Sequence, residues 1–118
     1  MEIKTKDYHV WYDEGITTVF CKGFLRLDGM EEYQPIMDLL IDAIDLQVKE
    51  QQALTTLNLR ELEFLNSSGI SMLSMFVVKV REKGSIQLLL QGSGEILWQT
   101  KSLKNLQRLM PSIKLEYL

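Results

Sequence analysis

The chain has 118 residues, of which 46% are hydrophobic and 25% charged, and its formal net charge is −3. This length predicts one folded domain spanning residues 1–118, and a composition this close to the globular average argues against disorder. The acidic balance argues against direct binding to nucleic acid, which requires clustered lysine and arginine side chains.

The N-terminal quarter of the chain has the pattern of a β-hairpin. Polar and apolar residues alternate over 2–12, Asp13-Glu14-Gly15 is a turn signal, and β-branched and aromatic residues follow over 16–25. Alternation with a period of two is typical of strands that bury one face. We therefore expect two antiparallel strands.

A helix is predicted after Asp28 and Gly29, with Pro35 in its first turn, where no backbone donor is needed. Apolar residues recur at helical spacing along one side, and aspartates occupy the other. We interpret the aspartates as a solvated acidic face, because no other ligands converge on them, and we predict no metal site. The inward residues are Met37, Leu40, Ile41, Ile44 and Val48, and the aspartates are Asp38, Asp42 and Asp45.

The remaining elements alternate between strand and helix. Together with the hairpin they give the order β-β-α-β-α-β-α-β, which predicts a mixed sheet with parallel central strands and helical crossovers. The predicted elements are a strand over 53–59, a connection over 61–65 (ELEFL), a helix from about 68 to 82 closed by Gly84, a strand over 85–91, helices over 95–101 and 103–109, and a last strand over 112–118.

The most informative segment is the turn from the central strand into the long helix, Asn66-Ser67-Ser68-Gly69. Asparagine and serine satisfy the free amide groups at a helix N-terminus, so capping explains one of these residues. Three such residues and a glycine are more than a cap requires. We therefore predict that Asn66, Ser67, Ser68 and Gly69 form the functional site and contact a binding partner.

The helix that follows has two distinct faces at 100° per residue. The outer face is small, uncharged and partly apolar over its first three turns, which suits the close approach of a partner protein better than contact with solvent. We predict that Ile70, Leu73, Phe76, Val77 and Val80 face the sheet, and that Ser67, Ser71, Ser74, Met75 and Val78 contact a partner.

The segment Asn66-Ser67-Ser68-Gly69-Ile70 resembles the signature of the STAS family, the domain of anti-anti-sigma factors (anti-sigma factor antagonists). The resemblance extends to Gly23, Gly84 and the turn at 92–94. It implies a STAS-like fold and a signalling protein that is no enzyme and needs no cofactor. It also implies that a partner kinase resembling an anti-sigma factor phosphorylates the serine matching Ser67, with Ser68 as second choice, and that a serine phosphatase reverses this. The unmodified form would bind its partner and so regulate transcription.

The chemistry of such a switch is plausible on physical grounds alone. Phosphate adds about −1.5 to −2 charges, which the helix N-terminus accommodates within its own domain. At a dry interface the same charge is costly, because it loses water without gaining a cation. One departure from the family pattern is Asn66, which keeps the capping oxygen of the usual aspartate and lacks its charge.

Three other functions are considered. A STAS subunit docked permanently on a transporter or sensor complex would use Ser67 as a contact only. A serine hydrolase lacks the G-x-S-x-G context, and its only candidate base is His9. A nucleotide site at Gly92-Ser93-Gly94 lacks the known fingerprints. We instead expect Gly92 and Ser93 to lie beside the Ser67 turn and to join the partner-binding surface, because both turns follow parallel strands.

The cellular setting is predicted from absences in the sequence. Cys21 is the only cysteine, which excludes a disulfide within the chain and fits a reducing compartment. No stretch approaches the ~18 apolar residues of a membrane span, and the N-terminus lacks the apolar run of a signal peptide. We therefore expect a cytoplasmic protein, and the sequence leaves its oligomeric state open.

Overall fold

The computed structural model describes all residues, 1–118, as six strands and three helices. A short 3-10 turn at Glu14–Ile16 separates the second and third strands. The elements are β1 (Glu2–Lys4), β2 (Tyr8–Asp13), β3 (Thr18–Leu25), α1 (Gly29–Lys49), β4 (Leu54–Leu65), α2 (Ser67–Lys83), β5 (Gln87–Gly92), α3 (Leu97–Leu109) and β6 (Lys114–Tyr117).

The strands form one mixed sheet in the order β1-β2-β3-β4-β5-β6. Strands β1, β2 and β3 pair antiparallel, and β3 to β6 pair parallel through the helical crossovers. This confirms the predicted α/β fold class with parallel central strands. Parallel neighbours need long connections, and each of the three helices supplies one of them.

The single strand predicted over 2–12 is two strands joined by a tight turn at Thr5-Lys6-Asp7. The Thr5 hydroxyl accepts the backbone N–H groups of Asp7 and Tyr8, each at 3.1 Å, and Thr5 N–H donates to the Tyr8 carbonyl at 2.9 Å. A threonine hydroxyl can replace the glycine or asparagine that usually marks such turns. The hairpin therefore had no strong signal in the sequence.

Helix α1 begins one turn earlier than its apolar pattern indicates. Pro35 is the seventh residue of the helix and not part of its first turn. Proline lacks the N–H that would bond to the carbonyl of Glu31 in the preceding turn. Both residues are exposed, so that carbonyl can bond to water. The three aspartates are exposed as predicted, whereas Val48 is 38% exposed and lies outside the core.

Strand β4 is twelve residues long, because the ELEFL segment predicted as a connection continues the strand. This extension pairs only with β3, with Phe24 opposite Phe64 and Leu25 opposite Leu65. Two register shifts interrupt the pairing, so the alternation of buried and exposed residues breaks down between Leu59 and Leu65. The disturbed alternation explains why the sequence pattern resembles a loop.

Helix α3 is one continuous helix over Leu97–Leu109, where two short helices were predicted. Its buried residues Gln99, Leu103 and Leu106 recur at helical spacing. Serine at position 102 therefore does not interrupt it. Met110 leaves the helical conformation before Pro111, so Pro111 marks the end as expected.

The three helices lie side by side, with α2 between α1 and α3, and cover one face of the sheet. The core between these layers contains 27 buried apolar residues, including Val10, Cys21, Tyr33, Leu57 and Phe76. The opposite sheet face carries half-buried aromatic rings, with Trp11 stacked between His9 and Phe20. None of the helices has both the length and the apolar character needed to cross a membrane.

Cys21 is 3% exposed, and desolvation raises the pKa of its thiol to about 12. Cys21 is thus a small side chain of the core. Because the thiolate is the reactive form, we expect an aromatic disulfide reagent at pH 8 to modify Cys21 only when the protein unfolds. Urea-unfolded protein should react at once. Rapid modification of the folded protein, measured by absorbance, would contradict a sealed core at this position.

Candidate functional site

Asn66 is the N-cap of α2 and the centre of the candidate site. Its Oδ1 accepts the backbone N–H of Gly69 at 3.0 Å and the hydroxyl of Tyr33 at 2.7 Å. Its Nδ2 donates to the backbone carbonyl of Leu27 at 2.8 Å. One side chain therefore joins the start of α2, the second turn of α1 and the chain segment that follows β3.

Tyr33 carries this network into the core. Its residue surface is 0% exposed, and burial raises the pKa of its phenol above the ordinary value. The phenol therefore stays neutral and donates to Asn66 at physiological pH. A buried hydroxyl with a partner avoids the desolvation cost that an unpaired one would carry.

Gly69 allows α2 to begin close to its neighbours. A Cβ atom at this position would lie 2.2 Å from Leu65 Cδ1 and 2.7 Å from the Tyr33 hydroxyl. Gly69 is buried, and Asn66 is half-buried, with both Oδ1 and Nδ2 bonded to groups within the domain. Both residues were predicted to contact a partner. The contacts that the structure shows for them lie within the domain, where they fix the position of the turn.

Ser67 is the first residue of α2, and its side chain is exposed. Ser68 is half-buried. The first turn of α2 contains no acidic residue, so the positive end of the helix dipole is not already offset there. Ser67 is thus the more accessible of the two candidate hydroxyls.

The outer face of α2 follows the predicted pattern. Ser71 is exposed, Met75 is 48% exposed, and Ser74 and Val78 are half-buried. The Ser74 hydroxyl donates to the Ile70 carbonyl at 2.9 Å within the helix. The predicted inward residues Leu73, Phe76, Val77 and Val80 are buried, whereas Ile70 is half-buried, and the buried Met72 was not predicted.

The turn containing Gly92 and Ser93 does not adjoin the Ser67 turn, contrary to the prediction. Gln91 pairs with Asn58, so β5 ends beside Leu59. The seven residues of β4 from there to Asn66 span roughly 20 Å along a strand. The prediction failed because it took the two parallel strands to end at the same level, whereas β4 continues well past β5.

The same turn offers no phosphate cradle. Ser93 N–H donates to Gln99 Oε1 at 2.7 Å, and Glu95 N–H donates to the Ser93 hydroxyl at 3.2 Å. Gly92 is buried, and a Cβ atom there would lie 2.7 Å from Leu103 Cδ1. These amides stabilise the start of α3, which leaves the nucleotide-binding alternative without support.

Gln99 is a structural residue that the sequence analysis missed. It is 0% exposed, and its Nε2 donates to the carbonyls of Leu59 at 2.6 Å and Leu62 at 3.0 Å. Trp98 Nε1 also donates to the Leu62 carbonyl, at 3.0 Å. Together these side chains cover the edge of β4 beyond the end of β5. Burying the Gln99 amide costs little, because it forms three hydrogen bonds.

The serine hydrolase alternative also lacks a catalytic pair. His9 lies in β2 and pairs across the sheet with Lys22, two strands from β4. Its Nε2 lies 2.5 Å from Glu2 Oε2, and its ring stacks on Trp11 with centroids 4.1 Å apart. No group of three or more histidine, cysteine, aspartate or glutamate side chains converges to form a metal site.

An exposed aromatic pair lies at the same end of β4 as Ser67. Phe24 is 38% exposed and Phe64 is 42% exposed, and the two are neighbours across β3 and β4. The Arg26 guanidinium lies over both rings, at 5.1 Å and 5.4 Å from their centroids. Assigning ELEFL to a connection concealed this arrangement, because two phenylalanines in register across neighbouring strands are its only sequence signal.

Comparison with known proteins identifies the fold. No protein-family model matches the sequence, and no curated protein matches it either. The chain is similar to a chain of the crystal structure of the diguanylate cyclase SiaD in complex with its activator SiaC from Pseudomonas aeruginosa, and the matched chain is SiaC. The two are 12% identical with a TM-score of 0.70, over 100% of this chain and 99% of the other. The likeness confirms a single STAS-like α/β fold.

Asn66 gives a direct test of the network at the turn. We expect Asn66→Asp to lower the free energy of unfolding by about 1–3 kcal/mol, because a carboxylate cannot donate to the Leu27 carbonyl and leaves it unpaired. Capping itself should not change, since aspartate and asparagine cap equally well. The control is Asn105→Asp on the exposed surface of α3, which should shift stability by less than about 0.5 kcal/mol. Equal stability of Asn66→Asp and wild type in urea unfolding would contradict this network.

Proposed function

We propose that this chain is a regulatory module that binds another protein through the first half of α2, and that phosphorylation of Ser67 releases that partner. The observation that carries the proposal is an exposed serine at the first position of a helix whose outer face is uncharged there. The resemblance to anti-anti-sigma factors supplies the partners: a serine kinase resembling an anti-sigma factor, and a serine phosphatase.

A phosphate on Ser67 would act on binding more than on folding. The first turn of α2 has free amide groups and no acidic side chain, so a phosphate gains roughly 0.3–1 kcal/mol from the helix dipole. Because the Ser67 side chain is exposed, no core contact is lost when it is modified. The folded state should therefore tolerate the modification.

The same phosphate would oppose a dry interface. Ser71 and Met75 follow Ser67 along the exposed face and offer a partner small and apolar groups without a cation. Desolvating two negative charges there is costly unless the partner supplies arginine or lysine. This asymmetry between folding and binding is what a phosphorylation switch requires.

A second candidate function is direct control of an enzyme. The structural neighbour SiaC is, by its title, the activator of a diguanylate cyclase, so a fold of this kind serves as a regulatory partner of an enzyme there. By analogy, the partner of this chain would be an enzyme whose activity changes on binding. Phosphorylation at Ser67 could regulate a complex with a kinase or a complex with such an enzyme. A permanently docked subunit would need no phosphorylation.

Phosphate mapping tests the switch. We expect phosphate on Ser67 after the protein is incubated with ATP and extract of its source cells, detected by mass spectrometry of the peptide that contains residues 61–79. Ser67→Ala should lose the modification, and Ser68→Ala should keep it. Phosphate at neither serine under any growth condition would favour static docking, and phosphate on Ser68 alone would move the site by one residue.

Partner retention tests the surface. Proteins that co-purify with the tagged wild type and Ser67→Ala should be lost with Ser67→Asp and Met75→Lys, because both changes put a charge in the proposed interface. Matched controls are Ser85→Asp beyond the end of α2 and Val48→Lys on α1, both exposed and expected to retain the partners. All five variants should show the wild-type circular dichroism spectrum. If Met75→Lys and Val48→Lys behave alike, the outer face of α2 is not the interface.

A further inference from the structure

The last strand of the sheet, β6, has a free edge. It pairs with β5 on one side only, and the Leu118 N–H donates to the Gly92 carbonyl at 2.8 Å. Alternate residues of a strand direct their backbone groups to the same side, so Lys114 and Glu116 also face β5. The N–H and C=O groups of Leu115 and Tyr117 are therefore directed outward and are unpaired.

A groove of about 670 Å³ lies above this edge, between β6 and the outer side of α3. Side chains that point to the helix-covered face of β6 form its floor, with Tyr117 38% exposed. The groove borders the free strand, because its lining residues come from α3, from β6 and from Pro111 between them. Its lining residues are Lys104, Gln107, Arg108, Pro111, Leu115 and Tyr117.

The wall of the groove is positively charged in a chain whose net charge is −3. Helix α3 contains Lys101, Lys104 and Arg108 and no acidic residue. Lys104 and Arg108 are both exposed, and neither forms a salt bridge. Arg108 Nη1 donates only to the neutral side chain of Asn105, at 3.1 Å. Both cations are thus available to an acidic ligand.

We propose that this groove binds an extended acidic segment of a partner protein, which adds to the sheet as a seventh strand beside β6. Main-chain hydrogen bonds to Leu115 and Tyr117 would give affinity, as in other cases of strand addition to an exposed sheet edge. Acidic side chains on the face of the added strand that points into the groove would pair with Lys104 and Arg108.

The spacing of the two cations fits a strand. Residues four apart on a helix are separated by about 6 Å along its axis. Residues two apart on a strand point to the same side and are separated by about 6.6–6.8 Å. An acidic residue at every second position of the segment therefore matches Lys104 and Arg108 in turn. The open shape and the two cations beside an unpaired strand suit a peptide better than a small molecule, whose sites are enclosed.

This surface is separate from the proposed switch. It belongs to α3 and β6 at one edge of the sheet, whereas Ser67 follows the central strand β4. The proposal does not rest on phosphorylation, and its test uses the unmodified protein.

The probe is a fluorescein-labelled peptide in which glutamate and valine alternate, titrated against the full chain by fluorescence anisotropy. We expect binding that weakens as salt is raised, with at least about a tenfold loss of affinity in the double variant Lys104→Glu and Arg108→Glu. The control is Lys114→Glu, which reverses one cation on the opposite sheet face of β6 and matches each single substitution, Lys104→Glu or Arg108→Glu; it should bind within about twofold of wild type, whereas each single substitution should weaken binding.

A second measurement reports on the edge itself. In hydrogen exchange followed by NMR, the Leu115 and Tyr117 amides should exchange quickly in the free protein and become protected when the peptide is bound. Tyr117→Pro removes one outward N–H without touching the bonds to β5, and Tyr117→Ala removes the same ring but keeps that N–H; Tyr117→Pro should therefore bind more weakly than Tyr117→Ala. A peptide in which lysine replaces glutamate should not bind.

The proposal is overturned by any of four results. These are no binding of the glutamate peptide at millimolar concentration, equal binding of the lysine peptide, equal losses in Lys114→Glu and the double variant, or protection that misses Leu115 and Tyr117. Self-association of the chain that Tyr117→Pro abolishes, measured by sedimentation, would assign the edge to a second copy and also overturn it.

Discussion

The candidate site depends on one amide side chain, that of Asn66. Its three hydrogen bonds hold the first turn of α2, the Tyr33 hydroxyl of α1 and the Leu27 carbonyl in fixed positions. Because the network is partly buried, each unmade bond would leave a desolvated group without a partner. Ser67 takes no part in this network, and its side chain is exposed. An aspartate at this position could accept the same two hydrogen bonds, but only the amide can also donate to the Leu27 carbonyl.

The length of β4 decides where the two candidate surfaces lie. By continuing past the end of β5 to Leu65, it carries the start of α2 away from the turn that precedes α3. The free edge left by this extension would expose backbone carbonyls, and Gln99 and Trp98 donate to them from α3. The end of the sheet near Ser67 also presents Phe24 and Phe64 beneath Arg26. The edge beside β6 remains uncovered and basic.

In both proposals, the groups that bind a partner are ones that the fold itself does not use. The proposed switch adds charge at a helix N-terminus, where the domain tolerates it and an apolar partner does not. The proposed groove uses cations that have no partner within the chain and a strand edge that the fold leaves unpaired. A protein with this pair of surfaces could hold one partner by its sheet edge while a second contact at α2 is made and broken.

The sequence alone determined the α/β class, the burial of Leu73, Phe76 and Val77, and the exposure of Ser67, because hydrophobic periodicity and capping residues act locally. It did not reveal the Thr5 turn, the extension of β4 or the position of Ser93, because these depend on strand register. The third hydrogen bond of Asn66 and the groove beside β6 join residues distant in the chain. Only tertiary structure decides such contacts, since backbone groups left unpaired by one element must be satisfied by whichever side chain the packing brings near them.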